Sequence, residues 1–441
     1  MVRTRKSSNL GADIRGDTSA PAMSTMNEVS PIDSEPPKWD KVAQPTAEKP
    51  LRSHSKRRRS RTYVRRFKDT CLKHTWVLPL LILTVLLLVY AVNPTPSNPL
   101  HYAIFLSYPQ PPKTPGGPIM YGKGKKDIAF VSFYTIVLSF TREFLMQRMI
   151  RPLAVYCGIR GKGKTARFME QVYTAIYFAI FGPFGLFVMS RTNIWYFNTT
   201  AMFEGFPHRE HEGYFKAYYL LQASYWAQQA IVLLLQLEKP RKDFKELVGH
   251  HIITLALIGL SYRFHFTYIG LAVYITHDIS DFFLATSKTL NYIDAYITPP
   301  YFGLFVFVWI YLRHVLNLKF LWAVLTEFRT VGPFELNWET QQYKCWISQY
   351  ITFALLASLQ AVNLFWLFLI LRILKNYIFT NVTKDERSDD ETEDEDAEID
   401  QAANSAAILA TGPEPASLTA RSVNAEKRTP QVMINGQPVK R

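Results

Sequence analysis

The chain has 441 residues, a formal net charge of +14 and a mean hydropathy of −0.03, an average that would suggest a soluble protein. The average hides two polar tails on either side of a strongly apolar middle. Residues 1–74 contain 17 Lys and Arg, so most of the excess positive charge lies in the N-terminal tail. A basic tail just before an apolar segment predicts attraction to anionic lipid on the cytosolic side, and this position argues against nucleic-acid binding. Three separated cysteines, Cys71, Cys157 and Cys345, provide neither a disulfide framework nor the spacing of a metal site.

The two tails are predicted to be disordered because their compositions resist burial. The first, 1–74, is basic, and the last, 377–441, contains an acidic run, 385–400, with 11 Asp and Glu. Three tail residues resemble kinase targets in basic or acidic contexts, although plain solvated tails explain the composition equally well. These candidate phosphorylation positions are Ser8, Ser388 and Thr392.

Eight apolar segments of 16 to 26 residues lie between the tails. A bilayer core of about 30 Å needs about 20 such residues per helix, so they predict an all-α polytopic membrane protein with about eight transmembrane helices. The first segment follows 74 polar residues, which argues against a cleavable secretory signal. Residues 93–124, rich in Pro and Gly, are predicted to form a loop. The predicted spans are Thr75–Val92, Asp127–Gln147, Gln171–Met189, Tyr218–Leu237, Leu247–Tyr262, Phe266–Ser287, Pro300–Leu325 and Trp346–Leu371.

The distribution of basic residues predicts that both termini are cytosolic. With the basic tail in the cytosol, the loops 148–170 and 238–246 are also cytosolic and carry six and four Lys and Arg. Of the opposite loops, 190–213 and 326–345 carry two each, and only the first lumenal loop departs from the pattern. The sequon at Asn198 then lies on the lumenal side, where glycosylation can occur.

Five ionisable side chains inside the fifth and sixth predicted spans are the main candidates for function. They are His250, His251, His277, Asp278 and Asp281. Charge inside a membrane is costly, so such groups mark functional sites by default.

The histidine pair and the acidic pair are predicted to lie in the same half of one helical hairpin. At 1.5 Å per residue, His250 and His251 lie about 5–6 Å inside the fifth span, and the aspartates about 9–14 Å from the cytosolic end of the sixth. The connection Arg263–His265 has three residues, so the two helices are antiparallel neighbours. Asp278 and Asp281 can share a helix face with His277, whereas at most one of the adjacent histidines can face them squarely.

A histidine beside a buried carboxylate can act as a general base or a nucleophile, with the carboxylate orienting the ring and stabilising its cation. The alternative is a set of interhelical hydrogen bonds that only holds the bundle together. Two histidines and two aspartates at matched depth favour function. A histidine-box metal centre would need several more clusters, and the other close pair, His208 and His211, lies in a predicted lumenal loop, so no metal site is expected.

The stretch GHHIITLALIGLSYRFHFTYIGLAVYITHDISDFFLATSKTLNY (249–292) resembles the signature motif of the TLC family of membrane proteins. More narrowly, the chain is similar to the fungal acyl-CoA-dependent ceramide synthases over roughly residues 120–376. The other matching stretches are YGKGKKDIAF (121–130), RFMEQVYTAIYF (167–178), NLKFLWAVLTEFRTVGPFELNWETQQYKCWISQ (317–349) and NLFWLFLILRI (363–373). The resemblance implies a six-helix TLC bundle or barrel over 165–376, preceded by two transmembrane helices over 75–164.

The resemblance also implies an activity: N-acylation of a sphingoid base by a fatty acyl-CoA at the endoplasmic reticulum membrane, with no cofactor besides this co-substrate. The family's catalytic histidine pair maps to His250 and His251, and its acidic pair to Asp278 and Asp281. His277 fits the form of the motif in animal relatives. Membrane lipid, a small single-pass accessory subunit and a homologous ceramide synthase subunit are the implied partners.

On this interpretation His250 either attacks the thioester to form an acyl-imidazole or deprotonates the amine, and His251 assists in proton transfer. The two aspartates orient the imidazoles and stabilise their charge. The seventh span adds second-tier candidates for substrate binding or support. Together with His277, these are Arg313, His314 and Asn317. Arg313 is expected either to pair with a carboxylate or to contact the substrate.

Two other interpretations are a non-catalytic TLC protein, such as a lipid sensor or a translocon-associated protein, and a transporter that uses buried charges as a relay. The intact histidine and aspartate pairs favour the enzyme. The sequence contains no evident repeat or broken-helix pair that favours the transporter.

Overall fold

The computed structural model describes residues 56–112, 115–235 and 243–380, together with 433–434 and 437–438. The chain divides into two units, Met1–Ser60 and Arg61–Arg441. Of the first unit, the description covers only residues 56–60, where a helix begins. The account below concerns the second unit.

Helices dominate the described residues. In chain order they are α1 (Lys56–Lys73), α2 (Val77–Val92), α3 (His101–Ile104), α4 (Lys126–Leu145), α5 (Arg151–Tyr156), α6 (Lys162–Ser190), α7 (Gly213–Leu234), α8 (Phe244–Arg263), α9 (Thr267–Tyr292), α10 (Thr298–Ile310), α11 (Asn317–Thr326) and α12 (Trp346–Thr380). π-helical turns at Met146–Ile150 and Tyr311–Leu316 join α4 to α5 and α10 to α11. Two-residue strands β1 (Pro109–Gln110), β2 (Met120–Tyr121) and β3 (His211–Glu212) form an antiparallel sheet, and β4 (Met433–Ile434) pairs with β5 (Gln437–Pro438).

Each of the eight predicted spans coincides with a helix or with helices joined by a π-helical turn. In the described part of the chain, four of these are long and apolar enough by themselves to cross a membrane. They are Lys126–Tyr156, Lys162–Ser190, Thr298–Thr326 and Trp346–Phe379. A fifth candidate is the pair Arg65–Lys73 and Val77–Val92, bent by 107°. The chain is therefore a multi-pass membrane protein.

Three boundaries differ from the sequence prediction. The end of the predicted disordered tail forms α1, a stretch without Gly or Pro and rich in basic helix formers. The predicted loop 93–124 contains α3 and two strands, and α12 continues to Thr380, nine residues beyond the expected end. The remaining predictions for the tails fall on 1–55 and 381–432, including the candidate phosphorylation positions, and lie outside the described residues.

Helix α9 lies at the centre of the bundle and carries the acidic residues of the motif. It forms the predicted antiparallel hairpin with α8 through the three residues 264–266, and it also packs along α6. The approach of α6 depends on Gly185, because a Cβ there would lie 2.6 Å from the Tyr218 hydroxyl and 2.8 Å from an Ile275 side-chain carbon. This close contact fixes α9, and therefore its acidic side chains, against α6 and α7.

A buried polar cluster lies at the end of the bundle where α7 and α9 begin. Its centre is an ion pair between Lys216 Nζ and Asp127 Oδ1 at 2.7 Å, with both side chains buried. Lys216 also donates to two backbone carbonyls at 2.7 Å. Asp127 Oδ2 accepts from the Tyr262 hydroxyl at 2.8 Å and from the backbone N–H of Gly124 at 2.9 Å. We call this arrangement the Asp127 cluster.

Loop residues extend the Asp127 cluster without adding a carboxylate. Lys123 Nζ donates to the carbonyl of His208 at 2.7 Å and lies 3.4 Å from His265 Nδ1. Burial lowers the pKa of Lys123 well below its ordinary value, and it lowers the pKa of His208 to about 4 and that of His265 to about 3. His211 Nε2 is 2.8 Å from the Thr267 hydroxyl. The histidines of this cluster are therefore neutral at physiological pH.

Candidate active site

Three of the four predicted catalytic residues border one cavity of about 210 Å³. His250 and His251 reach it from the first half of α8, and Asp281 from the second half of α9, so the antiparallel hairpin brings them to a common level. Arg313, on the π-helical turn after α10, completes this polar wall. Such turns occur often at functional sites, because they redirect side chains within a helix.

A second cavity of about 240 Å³ begins at the same histidine and is almost entirely apolar. It is bordered by His250 and His277 at one end and by Phe264 and Tyr343 at the other. From His250 to Phe264, at the C-terminal end of α8, fourteen rises of 1.5 Å span about 21 Å. His250 and Trp226 border both cavities, so His250 stands at the boundary between a polar chamber and a long apolar one.

His250 is buried and packed between two indole rings. Its ring centroid lies 5.0 Å from Trp366 and 5.7 Å from Trp226, both edge-on. Its Nε2 is 3.5 Å from the Thr254 hydroxyl, and Nδ1 has no hydrogen-bond partner within the described ranges. An imidazole held by packing, with one nitrogen uncommitted, is available for chemistry at that nitrogen.

His251 is oriented by a hydrogen bond along its own helix. Its Nδ1 lies 2.9 Å from the carbonyl oxygen of Leu247, which can only accept, so Nδ1 carries the proton. The lone pair of the neutral ring is then on Nε2, the arrangement needed for a base or a nucleophile. The two rings are perpendicular, with centroids 5.7 Å apart.

Asp281 forms a close ion pair with Arg313. The distance from Arg313 Nη2 to Asp281 Oδ1 is 2.5 Å, and the guanidinium is buried while the carboxylate is partly exposed to the cavity. Arg313 also donates from Nε to the Ser280 hydroxyl at 2.6 Å and stacks over Trp309 at 4.1 Å. The sequence analysis expected Arg313 either to pair with a carboxylate or to contact substrate, and in the structure it pairs with this one.

Asp278 faces a different part of the bundle. Its Oδ2 accepts from the Tyr218 hydroxyl at 2.9 Å and from the side-chain amide of Gln222, both on α7. It is completely buried and borders neither cavity, and no contact with His250 or His251 is found among the described residues. Of the two carboxylates predicted to lie at the depth of the histidine pair, only Asp281 borders the cavity that His250 and His251 border.

His277 borders the apolar cavity, but both of its ring nitrogens are engaged. Nδ1 lies 2.8 Å from the carbonyl of Val273 and must donate to it, which leaves Nε2 as an acceptor for the Asn363 amide at 3.3 Å. Arg313 Nη1 donates to the amide oxygen of Asn363 at 3.1 Å and so fixes the orientation of that amide. Because both nitrogens are bonded, His277 is placed as a support of the site.

His314 and Asn317 point away from both cavities. Gln360 joins them: its amide nitrogen is 2.7 Å from His314 Nδ1, and its amide oxygen accepts from Asn317 at 2.7 Å. This bridge links the π-helical turn and α11 to α12. In the described ranges no group of three or more His, Cys, Asp or Glu is placed to hold a metal ion.

The sequence analysis missed four residues that build the cavity wall or hold its groups. They are Trp226, Trp366, Asn363 and Gln222. Trp366 donates from Nε1 to Asp243 Oδ2 at 3.3 Å and thereby fixes the indole against His250. Two of the four could have been found from the sequence, because Asn363 and Gln222 are amides within apolar segments, where a polar side chain needs a hydrogen-bond partner.

Comparison with known proteins agrees with the resemblance. The TLC domain matches residues 167–372. The sphingosine N-acyltransferase lac1 of Schizosaccharomyces pombe is 53% identical over 349 residues, covering 78% of this chain and 90% of that protein. The ceramide synthase LAG1 of Saccharomyces cerevisiae is 52% identical over 337 residues, 76% of this chain and 80% of that protein. The chain belongs to the TLC-domain family of sphingosine N-acyltransferases.

A third relative extends the same pattern. The sphingosine N-acyltransferase-like protein FUM17 of Gibberella moniliformis is 53% identical over 342 residues, 77% of this chain and 88% of that protein. The TLC-domain match over residues 167–372 includes the α8–α9 hairpin and the residues that border both cavities. These likenesses give no support to the alternative of a lipid sensor or a translocon-associated protein.

Proposed function

We propose that the chain is a ceramide synthase that transfers a fatty acyl group from acyl-CoA to the amine of a sphingoid base. The observation that carries this proposal is the position of His250, which borders a long apolar cavity on one side and a polar, carboxylate-bearing cavity on the other. A thioester with an alkyl chain on one side and a polar nucleotide on the other needs such a boundary. The relatives are named for this reaction.

The two cavities suggest where each part of the acyl-CoA lies. The fatty acyl chain occupies the 240 Å³ cavity, because its lining is apolar, and the CoA moiety leaves through the 210 Å³ cavity. Lys288, near the end of α9, borders the polar cavity on the path out and suits the CoA phosphates. The thioester carbon then lies at His250.

The reaction forms a C–N bond and breaks a C–S bond. The ammonium form of the base first loses one proton to solvent, and the neutral amine loses a second proton as it is acylated, while the CoA leaves as a thiolate. His251, with its lone pair on Nε2, is placed to accept the amine proton. His250 acts in one of two ways: as a nucleophile that carries the acyl group as an acyl-imidazole, or as the base itself. Both routes regenerate the neutral imidazoles when the proton passes to the thiolate.

The acidic residues have different roles in this proposal. Asp281 faces the cavity, and its ion pair with Arg313 uses Oδ1, so Oδ2 can accept a hydrogen bond from the ammonium form of the base before deprotonation. Asp278 contributes from outside the cavity by fixing α9 to Tyr218 and Gln222 of α7. Arg313 holds Asp281 and, through Asn363, His277.

Purified protein incubated with acyl-CoA and a sphingoid base is the direct test, with ceramide measured by mass spectrometry. We expect His250→Ala to lower ceramide formation by about 10²–10⁴-fold, the usual contribution of a positioned base or nucleophile. His101→Ala is the matched control, since His101 lies on α3 outside both cavities. Wild-type protein that makes no ceramide from any of a panel of substrates, or a fully active His250→Ala, would contradict the proposal.

The proposed enzyme crosses the endoplasmic reticulum membrane eight times, with both termini in the cytosol. The spans correspond to α2, α4, α6, α7, α8, α9, the α10–α11 pair and α12, and this count places the polar cavity near the cytosolic side. Asn198 is exposed in the loop after α6 and would be glycosylated in the lumen. A mobility shift on deglycosylation that Asn198→Gln abolishes tests this orientation.

The remaining assignments are part of the same proposal and are supported by the resemblance to the family. The proposed catalytic domain is 165–376, with 75–164 as an N-terminal membrane segment and 1–74 and 377–441 as cytosolic tails. The acyl-CoA is the only small molecule required besides the sphingoid base. A small single-pass accessory subunit and a second ceramide synthase subunit are proposed partners, and co-purification from the native membrane tests them.

A further inference from the structure

A third cavity of about 70 Å³ lies among the end of α9, the start of α10 and the end of α12. Its polar rim consists of Ser287, Asn291 and Thr298, and its inner wall of Phe305 and Ile370. These last two belong to a hydrophobic cluster separate from the main core. We call this cavity the α9–α12 slot.

The α9–α12 slot adjoins the polar reaction cavity. Leu284 and Lys288 border both spaces. They are four residues apart and so lie on the same face of α9, between the slot and the cavity. Leu284 is one turn from Asp281, so the slot begins about 5 Å along the helix from the carboxylate.

The size of the slot suits one alkyl chain. A site for a single water molecule needs about 10–15 Å³, so this volume accommodates several methylene groups but not the two chains of a phospholipid. Its polar rim and apolar wall suit a single-chain amphiphile. The fatty acyl chain already has a larger apolar cavity on the other side of His250.

We propose that the α9–α12 slot binds the alkyl chain of the sphingoid base where that chain joins the polar head group. This inference rests on the proposed function. The base extends past Leu284, with its amine beside Asp281 and its chain leaving the bundle between α10 and α12. The two substrates therefore approach the imidazoles through separate openings, and the slot selects the base independently of the acyl chain.

Ser287→Phe tests the proposal, because Ser287 is buried at the slot and a phenyl ring there would fill it. Each methylene group displaced from an apolar site weakens binding about fourfold, so the loss of two raises the KM for a long-chain sphingoid base about fifteenfold. The KM for acyl-CoA is unchanged. A sphingoid base with a shortened alkyl chain is affected much less, which a general folding defect would not produce.

Two controls locate the effect. Ser358→Phe places the same ring on the exposed face of α12, away from the three cavities, and leaves both KM values unchanged. Thr254→Phe places it in the large apolar cavity and disfavours long acyl-CoAs while the KM for the base is unchanged. Ile373→Trp narrows the slot from its outer, half-buried wall and replaces Ser287→Phe if that variant fails to fold.

The outcomes are distinct. A rise in the KM for acyl-CoA alone would assign the slot to the CoA arm and overturn the inference. Unchanged kinetics in both slot variants would also overturn it. If the wild-type protein forms no ceramide, it is the proposed function that fails. If the wild type is active and the slot variants behave like Ser358→Phe, only the slot assignment fails.

Discussion

Two buried polar clusters, at the two ends of the α8–α9 hairpin, contain similar residues but differ in how these are used. In the Asp127 cluster, Lys216 and Asp127 pair with each other and their other contacts come from backbone or tyrosine. At the other end, His250 and His251 face a cavity, each with a ring nitrogen that has no hydrogen-bond partner within the described ranges. Burial of charge therefore does not by itself distinguish a candidate catalytic site from a structural cluster. The proposed active site differs from the Asp127 cluster in having ring nitrogens without a partner beside a cavity.

The comparison also explains why the pair His208 and His211 is not a second active site. Burial holds the pKa of His208 at about 4, and His211 is engaged by Thr267 and stacked on Phe215 at 4.1 Å. These side chains fill the space between the first loop and α9. Their role is to close this end of the bundle.

The largest expected effect on turnover comes from replacing one histidine in each cluster with alanine and comparing the two variants. His251→Ala should lower the turnover number by about 10²–10⁴-fold with little change in thermal stability, because it removes a base that faces the cavity. His211→Ala should lower the melting temperature and leave turnover per folded molecule near that of the wild type. Turnover and thermal unfolding of both purified variants check this. Equal loss of turnover in the two would remove the distinction.

The next effect concerns stability alone. Asp127→Asn leaves the buried Lys216 without its counter-charge, and breaking a buried ion pair usually costs about 3–5 kcal/mol. Adding Lys216→Met to this variant should recover part of the loss, because the unpaired charge is then gone. Thermal unfolding in detergent measures both variants. Ceramide formation per folded molecule should remain, and a selective loss of activity would place this cluster in catalysis.

The two acidic residues of the motif provide a finer comparison. Asp281→Asn removes the charge opposite Arg313 at the cavity and should lower turnover about tenfold to a hundredfold, in line with the loss of roughly 1.4–2.8 kcal/mol. Asp278→Asn should stay within about threefold, because both hydrogen bonds fall on one oxygen, which the amide oxygen can replace. Steady-state kinetics decide. If Asp278→Asn were the more damaging, Asp278 would act directly on substrate.

The convergence of His250, His251 and Asp281 could be predicted from the sequence. A three-residue connection forces antiparallel packing, and counting 1.5 Å per residue from the two helix ends gives the depth. The placement of Asp278 against α7, away from the cavity, could not be predicted. Residues three apart on a helix point about 60° apart, and which neighbouring helix occupies each direction depends on the arrangement of the whole bundle.

The long-range partners of the histidines could not be predicted from the sequence either. Asn363 and Trp366 come from α12, more than seventy residues after the end of the α8–α9 hairpin, and only the assembled bundle places them against His277 and His250. The helices themselves were predictable, because long apolar segments have few alternatives in a membrane. Their ends were less so, as with α1, since polar helices outside the bilayer carry no such constraint.

The smallest expected effect tests the wall of the cavity. Trp366→Phe keeps an aromatic ring against His250 but removes the hydrogen bond from Nε1 to Asp243, which is worth about 0.5–1.5 kcal/mol. If the proposed role of His250 is right, loosening the indole ring that packs against it should lower turnover about twofold to tenfold, with the KM for acyl-CoA little changed. Trp338→Phe is the matched control, at an exposed tryptophan on the far end of the apolar cavity. A larger loss in that control than in Trp366→Phe would show that the distal wall, and not the support of His250, limits the reaction.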